Sequence, residues 1–292
     1  MHIGMHVDVP GGALHVAVDG EGPPVVMLMG AGAPGRVWQA HHAPALRALG
    51  YSTWVVDWRG TGRSSPWAAG YSWASCVDDV DAVLGEIGPG PAAIVGTSMG
   101  ARVAVHLAER RPDDVAALVL LALGDEPGPA GELYARAVAR YSGEAGHAGQ
   151  AGHAGRDRDV WAAIQALALS PATLRDPVRG RDFVDMLTIS EPPRGASAHF
   201  GSAIGAEPVA RAAARVRCPA HVVAFADDII APVGAVSRLA AAFPRGTLRT
   251  VPDAGHLGYL EQEEATAAVI ADALAGTFPV RGPAHREAAA RG

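Results

Sequence analysis

The chain contains no lysine: its 24 basic residues are all arginine, set against 30 aspartates and glutamates. Without an ε-amine, Schiff-base chemistry and lysine general-base mechanisms are excluded. Cysteine is scarce as well. Cys76 and Cys218 lie far apart, so the sequence holds no disulfide framework, and no Cys/His spacing resembles a zinc site. Two reduced thiols, buried or half-buried, are expected. The net charge is −6 and no basic run occurs, which argues against nucleic acid as a partner. No apolar run reaches membrane-spanning length, and the opening Met1-His2-Ile3-Gly4-Met5-His6 lacks a signal-peptide core. A cytoplasmic location without membrane attachment follows as an expectation, as does the absence of a metal or cofactor. What the sequence has is apolar content: 49% hydrophobic residues against 18% charged suits an enzyme with a large core.

Apolar runs alternate with amphipathic stretches. Strands are expected at Ile3–Val9, Ala13–Val18, Val25–Met29, Thr53–Val56, Ala92–Val95, Val115–Leu123, His221–Ala226 and Thr247–Val251. Helices are expected near 37–49, 72–87, 101–108, 233–243 and 259–276. Such alternation implies an α/β fold, a parallel sheet covered on both faces. Residues 125–215 interrupt it with helical patterns near 131–141, 159–169 and 181–189, and read as a helical cap or lid between strands. The core is therefore assigned to 1–124 and 216–278, and 279–292 to a disordered tail. Within the cap, Ala145-Gly146-His147-Ala148-Gly149-Gln150 is nearly repeated in Ala151-Gly152-His153-Ala154-Gly155-Arg156. Its Gly/Ala composition fits a flexible loop better than a metal site at His147 and His153.

The stretch richest in chemistry is Gly96-Thr97-Ser98-Met99-Gly100, between the apolar run 92–95 and the helical pattern from Ala101. A serine between two glycines at a strand-to-helix turn is the nucleophile-elbow pattern. The turn is so tight that side chains at the glycine positions would strike neighbouring backbone, and the serine is forced into strain. A serine hydroxyl also needs a base. In elbow-type folds the acid and then the histidine follow the nucleophile in the chain. His256, in Asp253-Ala254-Gly255-His256-Leu257-Gly258, is the histidine that sits in a glycine-framed loop just after a strand. Among acids, Asp228 stands four residues before Pro232, at the start of the next helix; Asp227 and Asp125 remain alternatives. The backbone amides of Met99 and Ala31 are the expected oxyanion donors, with Gly30 and Gly32 permitting close approach. No Gly-Lys-Ser/Thr follows this loop and its spacing is not G-x-G-x-x-G, so it is not read as a phosphate cradle. Trp38, Trp58 and Tyr259 are candidates for the substrate pocket, although burial in packing is the default for tryptophan. Trp67 and Trp73 also fall near these loops.

Together these segments resemble the α/β-hydrolase superfamily over about residues 10–276. The loop 29–35, the turn Asp57-x-Arg59-Gly60-x-Gly62-x-Ser64, the elbow 96–100 and the Asp228/His256 pair fall in that family's order. The resemblance implies a mostly parallel eight-stranded sheet flanked by helices, with the cap inserted after strand 6. It also implies that Asp57 and Arg59 tie loops together near the site. One departure is the Met29-Gly30 pair, where such proteins commonly carry His-Gly. Residues 30–38 and 225–232 are similar to hydrolase-like proteins of actinomycete natural-product gene clusters. The implied activity is cleavage of a carboxylic ester, thioester or lactone of a small apolar, polyketide-type substrate through an acyl-enzyme, by a monomer or homodimer. Two alternatives stand beside it: elimination of an acyloxy group by the same His/Asp pair, and a non-catalytic ligand receptor on the same fold.

Overall fold

The computed structural model describes residues 3–67, 70–145, 154–190, 196–203 and 208–280. His147, His153 and the chain beyond Val280 lie outside these residues. The chain opens with a hairpin, β1 (Ile3–Val9) and β2 (Gly12–Asp19), followed by β3 (Pro24–Leu28), α1 (Arg36–His41), α2 (Ala43–Ala48) and β4 (Ser52–Val56). Next come α3 (Trp73–Ile87), β5 (Ala92–Thr97), α4 (Met99–Arg110) and β6 (Val115–Leu121). Among the described residues six helices then intervene: α5 (Pro129–Ala145), α6 (Ala154–Ala166), α7 (Pro171–Arg175), α8 (Arg179–Ile189), α9 (Ala196–Ala203) and α10 (Ala210–Ala213). The chain returns through β7 (Ala220–Phe225), α11 (Val233–Ala242), β8 (Gly246–Val251), α12 (Gly258–Glu261) and α13 (Glu263–Thr277).

The eight strands form one sheet in the order β1-β2-β4-β3-β5-β6-β7-β8, with β1 and β2 antiparallel and the rest parallel. The central strands β3 and β5 are buried on both faces, which is why their sequences read as unbroken Val/Ile/Ala/Met runs rather than as alternation. The edge strand β8 is exposed along most of its length and carries Thr247, Arg249 and Thr250. On the sheet, α3 packs on α4, and α10 links α4 to α11, while α2 and α13 pack on each other. Val209, Ala212 and Ala213, at and around α10, join the main core, whereas α5, α6 and α8 enclose two smaller apolar clusters around Trp161 and Leu187.

Two expected helices are each divided in two. The stretch 37–49 splits into α1 and α2 around His42, because Pro44 lacks the N–H that a continuous helix needs and its ring crowds the carbonyl four residues back. The stretch 259–276 splits at Gln262, whose backbone leaves the helical region while its side chain bonds the Asp253 carbonyl. Parallel strands bring their carboxyl ends to one edge, and register fixes the level: Leu28 pairs with Gly96 and Gly96 with Leu120. The loops after β3, β5, β7 and β8 therefore meet above the same edge.

Candidate active site

Ser98 sits between β5 and α4 at φ 51°, ψ −113°, a conformation that L residues rarely adopt. Its neighbours explain how the turn closes. A Cβ on Gly96 would lie 2.6 Å from the Gly100 carbonyl carbon, and one on Gly100 would lie 2.4 Å from the Leu28 carbonyl oxygen. The two glycines thus press the elbow against itself and against the end of β3, leaving the serine at the helix N-terminus.

The Ser98 hydroxyl stands 3.1 Å from His256 Nε2, and His256 Nδ1 stands 2.8 Å from an Asp228 carboxylate oxygen. The other Asp228 oxygen accepts the Ile230 and Ala231 amides at 2.8 and 2.9 Å, which fixes a carboxylate with no exposed side-chain surface. Since Asp228 can only accept, Nδ1 donates to it and Nε2 is left to accept the serine proton. Of the two alternative acids, Asp125 forms a bidentate pair with Arg238 at 2.7 and 2.9 Å, and it is the Asp228 carboxylate, not that of its neighbour Asp227, that meets His256. The thiols are also remote from this chemistry: both are free and buried, and burial pushes Cys76 up to about 12 and Cys218 up to about 11.

Beside Ser98 lies a cavity of about 410 Å³ whose walls include Ala31, Met99, Trp73, Leu123, Tyr134 and Phe200. Its lining is chiefly apolar, with Arg102, Glu126, Glu132 and Arg136 as the charged groups. Arg102 is largely buried, and desolvation draws it down to about 10, so it still carries its charge at neutral pH. The Met99 amide belongs to the unpaired first turn of α4, and no described residue accepts a bond from the Ala31 amide. Ala31 and Met99 both line the cavity that holds Ser98 and His256.

Three residues expected in the pocket lie elsewhere. Trp38 and Trp58 are wholly buried, Tyr259 nearly so, and none of them lines this cavity. They pack beneath the loop after β3 instead: Trp58 Nε1 donates to the Met29 carbonyl at 2.7 Å, and Trp38 lies against Tyr259. Gly30 and Gly32 support the loop rather than form a wall. A Cβ on Gly30 would sit 3.5 Å from that of Ser98, and one on Gly32, at φ 75°, would sit 3.2 Å from that of Ala196. Of the tryptophans considered, Trp73 is the one that reaches the cavity.

The turn at 57–64 holds this loop from the side. One Asp57 oxygen accepts the Gly35 amide at 2.8 Å, while the other meets the Arg63 amide and His15 Nδ1. Gly62 wraps so closely that a Cβ would overlap that carboxylate. Arg59 forks onto buried Asp79 at 2.8 and 3.0 Å and reaches the Pro10 carbonyl, and Asp79 raises its affinity for the proton. Sequence reasoning missed two residues of this shell. His199 accepts the Gly32 amide at 2.9 Å. Glu261 is buried and accepts the Gly255 and Ser170 amides, each at 2.7 Å, tying the loop of His256 to the segment between β6 and β7. Neither is marked by spacing, since each acts on backbone far away in the chain.

A family model described as the alpha/beta hydrolase fold matches residues 23–263. The chain is 31% identical over 251 residues to a Mycobacterium tuberculosis protein named as a non-heme bromoperoxidase, BpoC, covering 85% of this chain and 92% of that one. It is 33% identical over 264 residues to a pimeloyl-[acyl-carrier protein] methyl ester esterase of Chromobacterium violaceum, covering 89% and 98% respectively. The crystal structure of the M. tuberculosis protein superposes with a TM-score of 0.79 at 30% identity, over 90% of this chain and 96% of that one. Among the described residues, no helix is long and apolar enough to cross a membrane, and no group of three or more His, Cys, Asp or Glu could hold a metal ion.

Proposed function

The chain belongs to the alpha/beta hydrolase fold family, and on that premise we propose that it is a serine hydrolase of small carboxylic esters, thioesters or lactones. The observation that carries the reading is the hydrogen-bonded run from the strained Ser98 hydroxyl through His256 to buried Asp228. In the proposed reaction Ser98 Oγ attacks the carbonyl carbon while His256 Nε2 takes the hydroxyl proton. The resulting oxyanion is held by the Met99 and Ala31 amides, aided by the positive end of α4. Collapse expels the alcohol or thiol, which takes the proton from His256, and Ser98 is left acylated. Water then attacks the acyl carbon, giving its proton to His256, and the acid departs with Ser98 restored. Asp228 holds the ring in its tautomer and stabilises the imidazolium.

The substrate class is inferred from the apolar lining of the cavity, which suits an uncharged acyl or ring system, and from the methyl ester esterase among the relatives. The similarity of residues 30–38 and 225–232 to natural-product proteins supports a polyketide-type molecule within that class. Residues 125–215 serve as a cap: α5 and α9 supply Tyr134 and Phe200 to the wall of the cavity. The test is covalent. A fluorophosphonate should add one adduct at Ser98 by mass spectrometry and abolish turnover of p-nitrophenyl esters. Turnover that survives Ser98→Ala points instead to elimination by the His256–Asp228 pair, and a protein that neither reacts nor turns over is the receptor.

A further inference from the structure

We propose that His199 is a positioning residue, a clamp from the inserted helical segment that sets the oxyanion loop in its working geometry; the inference rests on the serine-hydrolase reading. The ring has no solvent exposure and joins the backbones of Gly32 and Arg59. Its Nδ1 accepts the Gly32 amide at 2.9 Å, and its Nε2 bonds the Arg59 carbonyl at 2.7 Å. An N–H on one side and a C=O on the other admit a single arrangement, the neutral ring protonated on Nε2. Trp67 lies against the ring, with centroids 4.6 Å apart, and Trp73 Nε1 donates to the His199 carbonyl at 3.2 Å. Both ring nitrogens are therefore engaged, and an indole packs against the ring.

Position gives the clamp its consequence. Gly32 directly follows Ala31, whose amide is the proposed second oxyanion donor. The loop is tethered at three points: the Met29 carbonyl by Trp58, the Gly35 amide by Asp57, and the Gly32 amide by His199. The tethers from Trp58 and Asp57 come from residues just after β4. The His199 tether comes from α9, 167 residues along the chain. Phe200, the next residue of α9, lines the cavity. One short helix thus forms part of the substrate wall and aligns the peptide that receives the developing charge. Seating α9 and completing the oxyanion site become a single event.

The experiment compares full-length wild type, His199→Met, which keeps bulk but loses both strong hydrogen bonds, and His199→Gln, whose amide can accept from Gly32 and donate to Arg59. Active sites are counted by fluorophosphonate titration, with p-nitrophenyl butyrate as substrate. A phenylalkyl trifluoromethyl ketone serves as the probe of oxyanion stabilisation, since Ser98 Oγ adds to its carbonyl with the proton passing to His256. For His199→Met we expect kcat/KM per titrated site to fall about 10²-fold, with KM within about threefold and the ketone weakened by a matching factor. His199→Gln should recover most of both. A methionine variant with a lowered Tm but unchanged kcat/KM and ketone affinity overturns the clamp. If that variant does not fold, exchange of the Gly32 amide in wild type decides: ketone binding should slow it at least about tenfold, and unchanged exchange overturns the clamp. Failure of the underlying reading is separate, because the wild type would then not be labelled at Ser98.

Discussion

At the scale of single residues, the acid of the site is the most discriminating position. Three aspartates compete for it in the sequence, and what separates them is their partners. Asp228 accepts two local amides with one oxygen and His256 with the other, whereas Asp125 is neutralised by Arg238. Asp228→Asn should therefore lower kcat by about 10⁴ by stabilising the wrong imidazole tautomer, while Asp125→Asn should leave kcat within about threefold; ester hydrolysis at pH 7.5 measures both. Equal losses would move the acid. Ser98 and His256, which the fold brings within 3.1 Å, could be singled out because the chemistry proposed for them needs a local setting that the sequence spells out: glycines at an elbow and a glycine-framed loop after a strand. Trp38, Trp58 and Tyr259 could not be placed the same way. A large ring near site loops can face the cavity or lie under the loop, and only packing decides. Here Trp58 serves the site from beneath, through its bond to the Met29 carbonyl. That bond lies where the Met29 side chain, in place of the family's usual histidine, offers no polar anchor.

At the scale of elements, the strands are legible because burial on both faces leaves continuous apolar runs, as in Val25–Leu28 and Ala92–Thr97. Helix ends and the segment between β6 and β7 are less so. The pair Ser170-Pro171 carries an N-cap and a first-turn proline, signals that mark the five-residue α7, yet so short a helix has too little periodicity to stand out. Long-range polar contacts leave no local pattern at all, and Glu261 is the clearest case. Both its oxygens accept backbone N–H groups, from Ser170 and Gly255, so a side chain presenting an N–H in place of either oxygen meets a donor. Glu261→Gln should therefore destabilise nearly as much as Glu261→Ala, each by about 2–4 kcal/mol in urea unfolding, with kcat reduced because Gly255 precedes His256. A glutamine variant as stable as wild type would show that charge and acceptor count at this position are unimportant.

At the scale of the whole molecule, one sheet edge gathers loops from four strands, and the segment between β6 and β7 is joined to those loops by polar bridges at His199 and Glu261. That design has an acid cost. Burial draws His199 down to about 4, below its ordinary value near 6.5, and burial lowers His42 as well. The Arg59 guanidinium, turned to Asp79, leaves only its carbonyl toward the ring. A group whose folded-state value is depressed in this way binds protons more readily in the unfolded chain. Stability from His199 is thus full above about pH 6.5 and declines on acidification, by about 3 kcal/mol at pH 4. Urea titrations between pH 7 and pH 4 should show this decline in wild type and a shallower one in His199→Gln. The central claim, however, is that Ser98, His256 and Asp228 act as one catalytic unit, and a double-mutant cycle tests it most directly. Ser98→Ala and His256→Ala should each lower kcat by about 10⁵–10⁶, and the combined variant should be little worse than either. Losses that multiply, or a Ser98→Ala enzyme that still turns over ester, would contradict the account.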